Sequence, residues 1–181
     1  MTDSKTWDYL SYTAHPQYKY DGVNTVCKTG YYTHYTDLNN PVIKNWDEKD
    51  LRRSLNIAHY AFSASTYGEN TCLLLKYRAP NASGSKAQID IPLLRYTDVL
   101  LTYAEACART GEMSNAVNAL NQIKRRAYGA DPMVANPELD YKASDYADYD
   151  AFFYGPLLTE ERYETFNEAK HWFFEERHGK W

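Results

Sequence analysis

The chain has 181 residues and a formal net charge of −4 at pH 7, which is the length of one domain or of a piece of a larger protein. Because phosphate binding needs a basic face, this acidic balance argues against nucleic acid as the main partner. The three cysteines form no Cys-x-x-Cys pair and no run of about 18 apolar residues occurs, so the sequence indicates no zinc knuckle, disulfide framework or membrane-spanning helix.

Residues 1–45 show little helical periodicity and are dense in Tyr, Thr, Asn, Gly and Pro. This composition predicts ordered irregular chain with a short strand or two, and loops of such length tend to be functional. The start, MTDSKTWDYL, lacks the basic and apolar regions of a signal peptide, so the protein either stays in the cytoplasm or has lost its targeting end. Tyrosine is unusually frequent, at 18 residues, and suits both wet binding surfaces and half-buried helix faces.

Two short elements are predicted before the first long helix. The stretch NWDEKDLRRSLNIAHYAFS predicts a short helix with Asp47 as its N-cap. The apolar run TCLLLKY is bounded by polar residues and predicts a strand, although a buried helical turn fits the same pattern. The stretch RAPNASGSKAQID is a loop by its Pro, Asn, Gly and Ser content.

Two longer helices follow in close succession. The first is predicted over about Leu93–Arg109, with Pro92 at or just before its first turn, and Gly111 ends it. Apolar or small residues occupy more than one of its faces, which predicts that it is covered on two sides. The second is predicted over about Ser114–Tyr128, with Gly129 just beyond its end.

These helices predict a hairpin, residues 91–129, whose Ala104…Gly111…Ala116…Leu120 spacing resembles one tetratricopeptide repeat. A solitary repeat cannot bury its own outer faces and needs neighbours, and no second clear copy occurs in the chain. The fold prediction is a mainly α, single region spanning 1–181. It consists of a loop-rich part over 1–90, the tetratricopeptide-like hairpin, and a packed C-terminal helix with long irregular loops. Cys107 is expected to be a buried thiol.

The rest of the chain is predicted as an excursion followed by one helix. Residues 130–157 are acidic and rich in Tyr, which predicts a long path over the surface. The terminal helix falls within 158–178, over about Thr159–Glu176. Thr159 is expected to cap it, with acidic residues filling the first turn.

Charged residues interrupt the apolar pattern of the first long helix at Arg95, Asp98 and Glu105. A buried arginine must be paired, and its forked guanidinium suits carboxylates. The terminal helix offers further acidic partners, which are Glu161, Glu164 and Glu168. Arg95 is therefore predicted to bridge to that helix, in a structural role rather than as a ligand contact.

Catalytic and metal-binding patterns are weak. Glu168 and His171 match the Glu-x-x-His pattern of di-iron bundles, but such sites need a second pair and further glutamates on facing helices. The chain contains no His-Glu-x-x-His, Gly-x-Ser-x-Gly, phosphate-loop or dinucleotide motif. A glycosidase would need two carboxylates facing each other across a cleft, and the sequence gives no support for them. We predict no catalytic residue, no metal and no cofactor.

Two motifs are specific as a pair: IPLLRYTDVLLTYAEACARTG with NAVNALNQIKRRA, and EERYETFNEAKHWFFEERHGK. They resemble the SusD/RagB family, the surface nutrient-binding lipoproteins of Bacteroidetes-type bacteria. The first motif is similar to the family's Arg-Tyr…Leu-x-Tyr-Ala-Glu-Ala…Gly…Ala signature. In the second, the acidic residues, Trp172 and the final Gly-Lys fall in step with the family pattern. Ala169 stands where the family usually has Gly, and Phe174-Glu175 replace Asp-Leu.

The resemblance covers about a third of the chain and implies the later part of such a protein. The family's N-terminal half, with its signal peptide and lipid-bearing cysteine, is expected to be missing, so none of the three cysteines is the lipidated one. The implied function is non-catalytic capture of oligosaccharide, or sometimes peptide, at the outer-membrane surface. The implied partner is a SusC-like TonB-dependent transporter, on which the protein acts as a lid.

Aromatic side chains from the irregular N-terminal part are the expected sugar platforms, because sugars stack on aromatic faces. The candidates are Trp7, Tyr12, Tyr31, Tyr32, Tyr35 and Trp46. Trp172 is expected to be core. The alternatives are a helical-repeat scaffold that binds only protein, a peptide-capturing lid, and a carbohydrate-active enzyme. Burial of both Trp7 and Trp46 would favour the scaffold.

Overall fold

The fold is mainly α, as the sequence predicts, with short strands in its first part. The computed structural model describes residues 19–20, 23–24, 36–59, 70–76, 92–168 and 170–177. The chain divides into two units: one is formed by Met1–Glu48 and Arg53–Ile91, the other by Lys49–Arg52 and Pro92–Trp181.

Among the residues that the structure describes, the first unit contains five short strands and the helix α1. The strands are β1 (Lys19–Tyr20), β2 (Val23–Asn24), β3 (Thr36–Asp37), β4 (Ile57–His59) and β5 (Thr71–Leu74), and α1 spans Pro41–Lys44. Strands β1 and β2 form an antiparallel ribbon, and β5 lies between β3 and β4 in an antiparallel sheet. The strand predicted from TCLLLKY is therefore confirmed. Helix α1 was not predicted, and its N-cap is Asn40, whose side chain accepts from the Val42 N–H.

Helix α2 spans Leu51–Asn56, and its first residues belong to the second unit. Asp47 is not its N-cap, contrary to the sequence prediction. The Oδ1 atom of Asp50 instead accepts a hydrogen bond from the Arg52 N–H at 2.9 Å. Asp50 therefore satisfies a backbone donor that the first turn of a helix leaves without an intrahelical acceptor.

The hairpin of the second unit consists of α3 (Tyr96–Arg109) and α4 (Met113–Ala127). Helix α3 begins later than predicted, with Arg95 at the N-cap in extended conformation. The Arg95 N–H donates to Asp98 Oδ2 at 2.7 Å, so Asp98 satisfies a free donor and places negative charge at the positive end of the helix. The position of the first turn is thus determined by Asp98 and not by Pro92.

Both hairpin helices end in Schellman motifs. Gly111 and Gly129 have φ angles of +83° and +73°, in the left-handed region. After α4, the Ala130 N–H bonds to the Arg125 carbonyl at 2.9 Å and the Gly129 N–H to the Arg126 carbonyl at 3.0 Å, and α3 ends in the same pattern. These bonds satisfy carbonyls that the last turn leaves without partners. Both glycines end the helices as predicted.

Small residues let α3 and α4 approach closely at the core of the second unit. Ala104, Ala108 and Ala116 are buried there together with Leu120. Cys107 is buried as well, which confirms its prediction as a core thiol. The outer face of α3, however, is exposed, so the expected cover on two sides is absent from the part of the chain that the structure describes.

The segment 130–157 is not a surface excursion throughout. Its second half forms α5 (Tyr149–Phe152) and a π-helical turn over Phe153–Leu157, after a 3-10 turn at Ala143–Asp145. Phe152, Phe153 and Leu157 belong to the buried cluster of the hairpin. Burial of these large apolar side chains is worth about 1.5–3 kcal/mol each, which outweighs the acidic and tyrosine-rich character that suggested a surface path.

The single terminal helix of the prediction is two helices, α6 (Leu158–Glu164) and α7 (His171–Arg177). Asn167 has a φ angle of +62° in the break between them, a conformation that Asn tolerates better than most residues. Thr159 is not an N-cap, because the π-helical turn runs directly into α6, and its hydroxyl donates to the Gly155 carbonyl at 2.8 Å. Trp172 is 48% exposed and is not the core residue that was expected.

Replacing either capping glycine is expected to destabilise the second unit. Gly111→Ala and Gly129→Ala should each lower the free energy of unfolding by about 1 kcal/mol, because a Cβ is unfavourable at positive φ. Urea unfolding followed by circular dichroism measures this change. A Cβ at Gly111 meets nothing within 4 Å, so that variant reports backbone strain alone.

The control is Gly155→Ala, at a glycine that lies in the π-helical turn and has no positive φ. Its added Cβ would lie 3.6 Å from the Tyr146 ring, an ordinary contact, so stability should be unchanged or raised. Equal stability of the three alanine variants and the parent protein would contradict the capping account.

Candidate functional site

The predicted aromatic platforms do not form a site in the part of the chain that the structure describes. Five of them lie outside the described residues: Trp7, Tyr12, Tyr31, Tyr32 and Tyr35. Trp46 is described and is 2% exposed. A stacked sugar needs an open aromatic face, so Trp46 is a core residue and not a platform in this structure.

The predicted ionic residues do form contacts, and their centre is Glu164 on α6. Its Oε1 lies 2.7 Å from Arg126 Nη2 and 2.9 Å from Arg95 Nη1, and its Oε2 lies 3.5 Å from Arg52 Nη1. These arginines come from the start of α2, the N-cap of α3 and the last turn of α4. One carboxylate, 4% exposed, therefore joins four segments of the second unit.

Arg95 reaches the C-terminal segment as the sequence predicts. Besides Glu164, its guanidinium contacts Glu168 at 2.9 Å and donates to the Glu164 backbone carbonyl at 3.2 Å. Lys170 then links Glu168, at 3.2 Å, to Asp98, at 2.9 Å. Asp98 thus serves both the cap of α3 and the ion pairs.

Arg52 extends the network and was missed by sequence reasoning. It pairs with Asp50 at 2.6 Å and with Glu160 at 2.8 Å. Glu160 Oε1 also accepts from the Tyr141 hydroxyl at 2.8 Å. Because a buried arginine needs carboxylate partners, Asp50 two residues before Arg52 was the available signal. The more distant glutamates could not be assigned without the fold.

Glu105 and Glu161 were predicted to join the ion pairs around Arg95, but each of them belongs to a separate cluster. Glu105 pairs with Arg109 at 3.0 Å and with Arg177 at 2.7 Å, which ties α3 to α7. Glu161 contacts His171 Nδ1 and accepts from the Thr165 hydroxyl at 2.9 Å. The break between α6 and α7 turns the second helix, and this gives Glu105 and Glu161 their own partners.

The network shifts the acid–base behaviour of its members. Burial alone would raise the pKa of the Glu164 carboxyl, but the hydrogen bond and charge of Arg126, with Arg52 and Arg95, lower it from 4.5 to about 2. Burial opposes charge on Arg52, yet Glu160 and Asp50 together raise its pKa. These groups are therefore ionised at neutral pH, which suits a structural ion-pair network and not proton transfer.

Within the described ranges, no group of three or more His, Cys, Asp or Glu residues could hold a metal ion. Glu168 lies in the break and His171 begins α7, so the Glu-x-x-His pattern does not fall on one helical face. None of the helices described here has the length and apolar character to cross a bilayer.

Two of the surface concavities lie within the described part of the second unit. The first, of about 380 Å³, is a mainly apolar cleft, which we call the apolar cleft. Its walls include Leu93, Leu94 and Phe173, and the charged residues Asp98, Glu161, Lys170 and Arg177 also line it. The second, of about 400 Å³, is a groove between α3 and α4; we call it the hairpin groove. Its lining is Tyr96, Val99, Leu100, Tyr103, Asn115, Asn118, Ala119 and Gln122.

The second unit is mainly α-helical. It consists of a tetratricopeptide-like hairpin and a C-terminal segment, and buried ion pairs join the two. The SusD family model matches residues 62–174, more than half of the chain, and the chain belongs to the SusD family. No match is found among curated proteins.

The fold is similar to the crystal structure of a SusD superfamily protein from Bacteroides fragilis, at a TM-score of 0.58 and 21% identity. The alignment covers 80% of this chain and 29% of that chain. This chain therefore spans less than a third of the length of the solved relative.

Glu164→Gln tests the network through its pH dependence. Because the pKa of Glu164 is lowered from 4.5 to about 2, its stabilisation is present above about pH 5 and is lost as the pH falls toward 2. The difference corresponds to on the order of 3 kcal/mol at neutral pH. We expect the variant to be less stable at pH 7, with a smaller loss of stability between pH 5 and pH 2.

The matched control is Glu138→Gln, which neutralises an exposed glutamate outside the network. It should keep the stability and the pH profile of the parent protein, as measured by urea unfolding at a series of pH values. A Glu164→Gln profile that parallels the parent profile would contradict the lowered pKa.

Proposed function

We propose that this protein captures oligosaccharide at the bacterial outer-membrane surface and does not cut it. The match of the SusD family model to residues 62–174 carries this proposal, because nutrient capture is what the family resemblance implies. The abundance of tyrosine, 18 of 181 residues, supports it. Tyr combines an apolar face for stacking with a polar edge for hydroxyl groups.

The ion-pair network supports a binding role over a catalytic one. Glu164 lies between three arginines with its pKa lowered, whereas a general acid in glycoside hydrolysis needs a raised pKa and an opposing carboxylate across a cleft. The network instead joins four segments of the second unit through one carboxylate. Rigid scaffolds present binding residues in fixed positions, which lowers the entropic cost of binding.

The proposed destination of the captured glycan is a SusC-like TonB-dependent transporter, with this protein as its lid. The proposed location of the full protein is the outer membrane, where a lipid anchor would hold it on the cell surface. Both rest on the family resemblance. The ligand residues among Trp7, Tyr12, Tyr31, Tyr32 and Tyr35 remain proposals on the same footing.

A protein-binding role is the second candidate, and the apolar cleft favours it. Leu93, Leu94 and Phe173 line this cleft and are 90%, 72% and 65% exposed. Large exposed apolar side chains gathered in one place are typical of surfaces that bind other proteins. The same protein could use the cleft against its transporter or to hold a peptide.

Electrophoresis in native gels cast with polysaccharides tests the proposal. A folded sample, checked by circular dichroism, should be retarded by at least one glycan, and the glycan should keep its chain length during incubation. Trp7→Ala should reduce retardation if the N-terminal platforms bind sugar, while the control Trp172→Ala should not. If no polysaccharide of the panel retards the folded protein, glycan capture is overturned. Binding of a peptide with apolar side chains instead would support the protein-binding role.

A further inference from the structure

Glu161 on α6 is a buried carboxylate, 2% exposed, whose charged partner is a histidine. Its Oε1 accepts from the Thr165 hydroxyl at 2.9 Å, and its Oε2 contacts Nδ1 of His171, the first residue of α7. Within the described ranges, no lysine or arginine contacts this carboxylate. Glu160 and Glu164 are instead paired with arginines, which stay charged at every ordinary pH. The charge balance of Glu161 therefore depends on a group that titrates near neutral pH.

The His171 ring lies between two carboxylates. Its Nδ1 faces Glu161, and its Nε2 lies 3.0 Å from Oε1 of Glu175, one turn further along α7. Only the charged imidazolium has a proton on both nitrogens and can donate to both carboxylates. The hydrogen bond from Glu161, together with the charges of Glu161 and Glu175, raises the pKa of His171 above its ordinary value of 6.5, although burial opposes this. The arrangement therefore favours the charged ring.

Arg162 on α6 opposes the charged ring. Its Nε lies 3.3 Å from His171 Nε2, and its Nη2 lies 3.6 Å from Glu175 Oε1. Loss of the Nε2 proton therefore exchanges Glu175 for Arg162 as the partner of this nitrogen. The side chains of Arg162 and Glu175 are each 37% exposed, whereas that of Glu161 is 3% exposed. Because water screens the exposed charges more strongly, loss of the cation beside Glu161 has the larger effect.

Other charged groups near the ring have partners of their own. Lys170, the residue before the ring, pairs with Asp98 at 2.9 Å and with Glu168 at 3.2 Å. Arg177, at the end of α7, pairs with Glu105 at 2.7 Å. In the part of the chain that the structure describes, the charged groups in contact with the ring are therefore Glu161, Arg162 and Glu175.

Helix α7 is weakly attached, so a change in one contact can affect it. None of its residues that the structure describes is buried. Phe174 stacks on Phe153 with ring centroids 5.6 Å apart, and Arg177, whose side chain is 53% exposed, pairs with Glu105. A helix of seven residues is too short to be stable alone, so it depends on such contacts with the rest of the unit.

Helix α7 also forms part of the apolar cleft. Phe173, Phe174 and Arg177 line the cleft from α7, and Leu93 and Leu94, which precede α3, line it as well. A looser α7 therefore alters the shape of this cleft.

We propose that the protonation state of His171 controls the attachment of α7 to α6: the charged ring holds α7 against Glu161, and loss of its second proton loosens α7 and with it part of the apolar cleft. Attachment raises the pKa of His171 above 6.5. The stabilisation is therefore complete below about pH 6.5 and is lost as the pH rises through the raised value. This inference is independent of what the protein binds.

An NMR titration of the full chain tests the charged contact. The Cε1–H signal of His171 is assigned by its absence from His171→Gln and followed from about pH 5 to about pH 9. We expect a pKa above 6.5 in the parent protein and a lower one in Glu161→Gln. Glu175→Gln, the control at the more exposed carboxylate, should lower the pKa less. A parent pKa at or below 6.5, or one that Glu161→Gln leaves unchanged, would overturn the proposal.

Hydrogen exchange of residues 171–177, corrected for intrinsic rates, measures the attachment of α7. Between about pH 6 and about pH 9, protection of α7 in the parent protein should fall by up to about tenfold for each unit by which attachment raises the pKa. Protection of α4 should stay constant and shows that each variant is folded. His171→Arg, which keeps its charge, should protect α7 at both pH values, and His171→Gln at neither. Equal protection of α7 in the parent protein at both pH values, or the same fall in both variants, would contradict control by His171.

Discussion

The second unit depends on one buried carboxylate held by three arginines. Glu164 joins the start of α2, the N-cap of α3 and the end of α4 to α6. Such an arrangement stabilises the unit only while every charge keeps its partner, because an ion left alone in a buried site is strongly unfavourable. This requirement explains why arginines and glutamates recur among otherwise apolar elements. It also fixes α6 against the hairpin, while the break after Thr165 lets α7 turn toward Glu105.

The ion pairs and the apolar core of the second unit occupy different parts of the hairpin. The ion pairs lie where the hairpin meets the C-terminal segment, and the alanine-rich interface joins α3 to α4. The hairpin groove lies between the same two helices, and Ala119 belongs both to its lining and to the buried core. The chain belongs to the SusD family, and the apolar cleft is a further concavity of the second unit.

Sequence patterns within single elements predicted much of this fold, whereas the remaining features depend on tertiary packing. The hairpin, its glycine ends and the bridge from Arg95 to the terminal segment follow from spacing, left-handed caps and the need to pair a buried arginine. The π-helical turn and the burial of Phe152 and Phe153 could not be predicted, because their pattern is too short to show a period. The break at Asn167 has no strong breaker residue, so the exposed Trp172 was placed in the core. Trp46 is buried although its neighbours are polar, and only the fold shows it.

A double-mutant cycle between Arg95 and Glu164 tests the central claim most directly. The free energy of unfolding would be measured at pH 7 for the parent protein, Arg95→Met, Glu164→Gln and the double variant. If the network organises the unit, the two single changes are strongly destabilising and the double variant loses less than their sum, by at least about 1 kcal/mol. Effects that add within about 0.3 kcal/mol would show that the two residues act independently and would contradict the account.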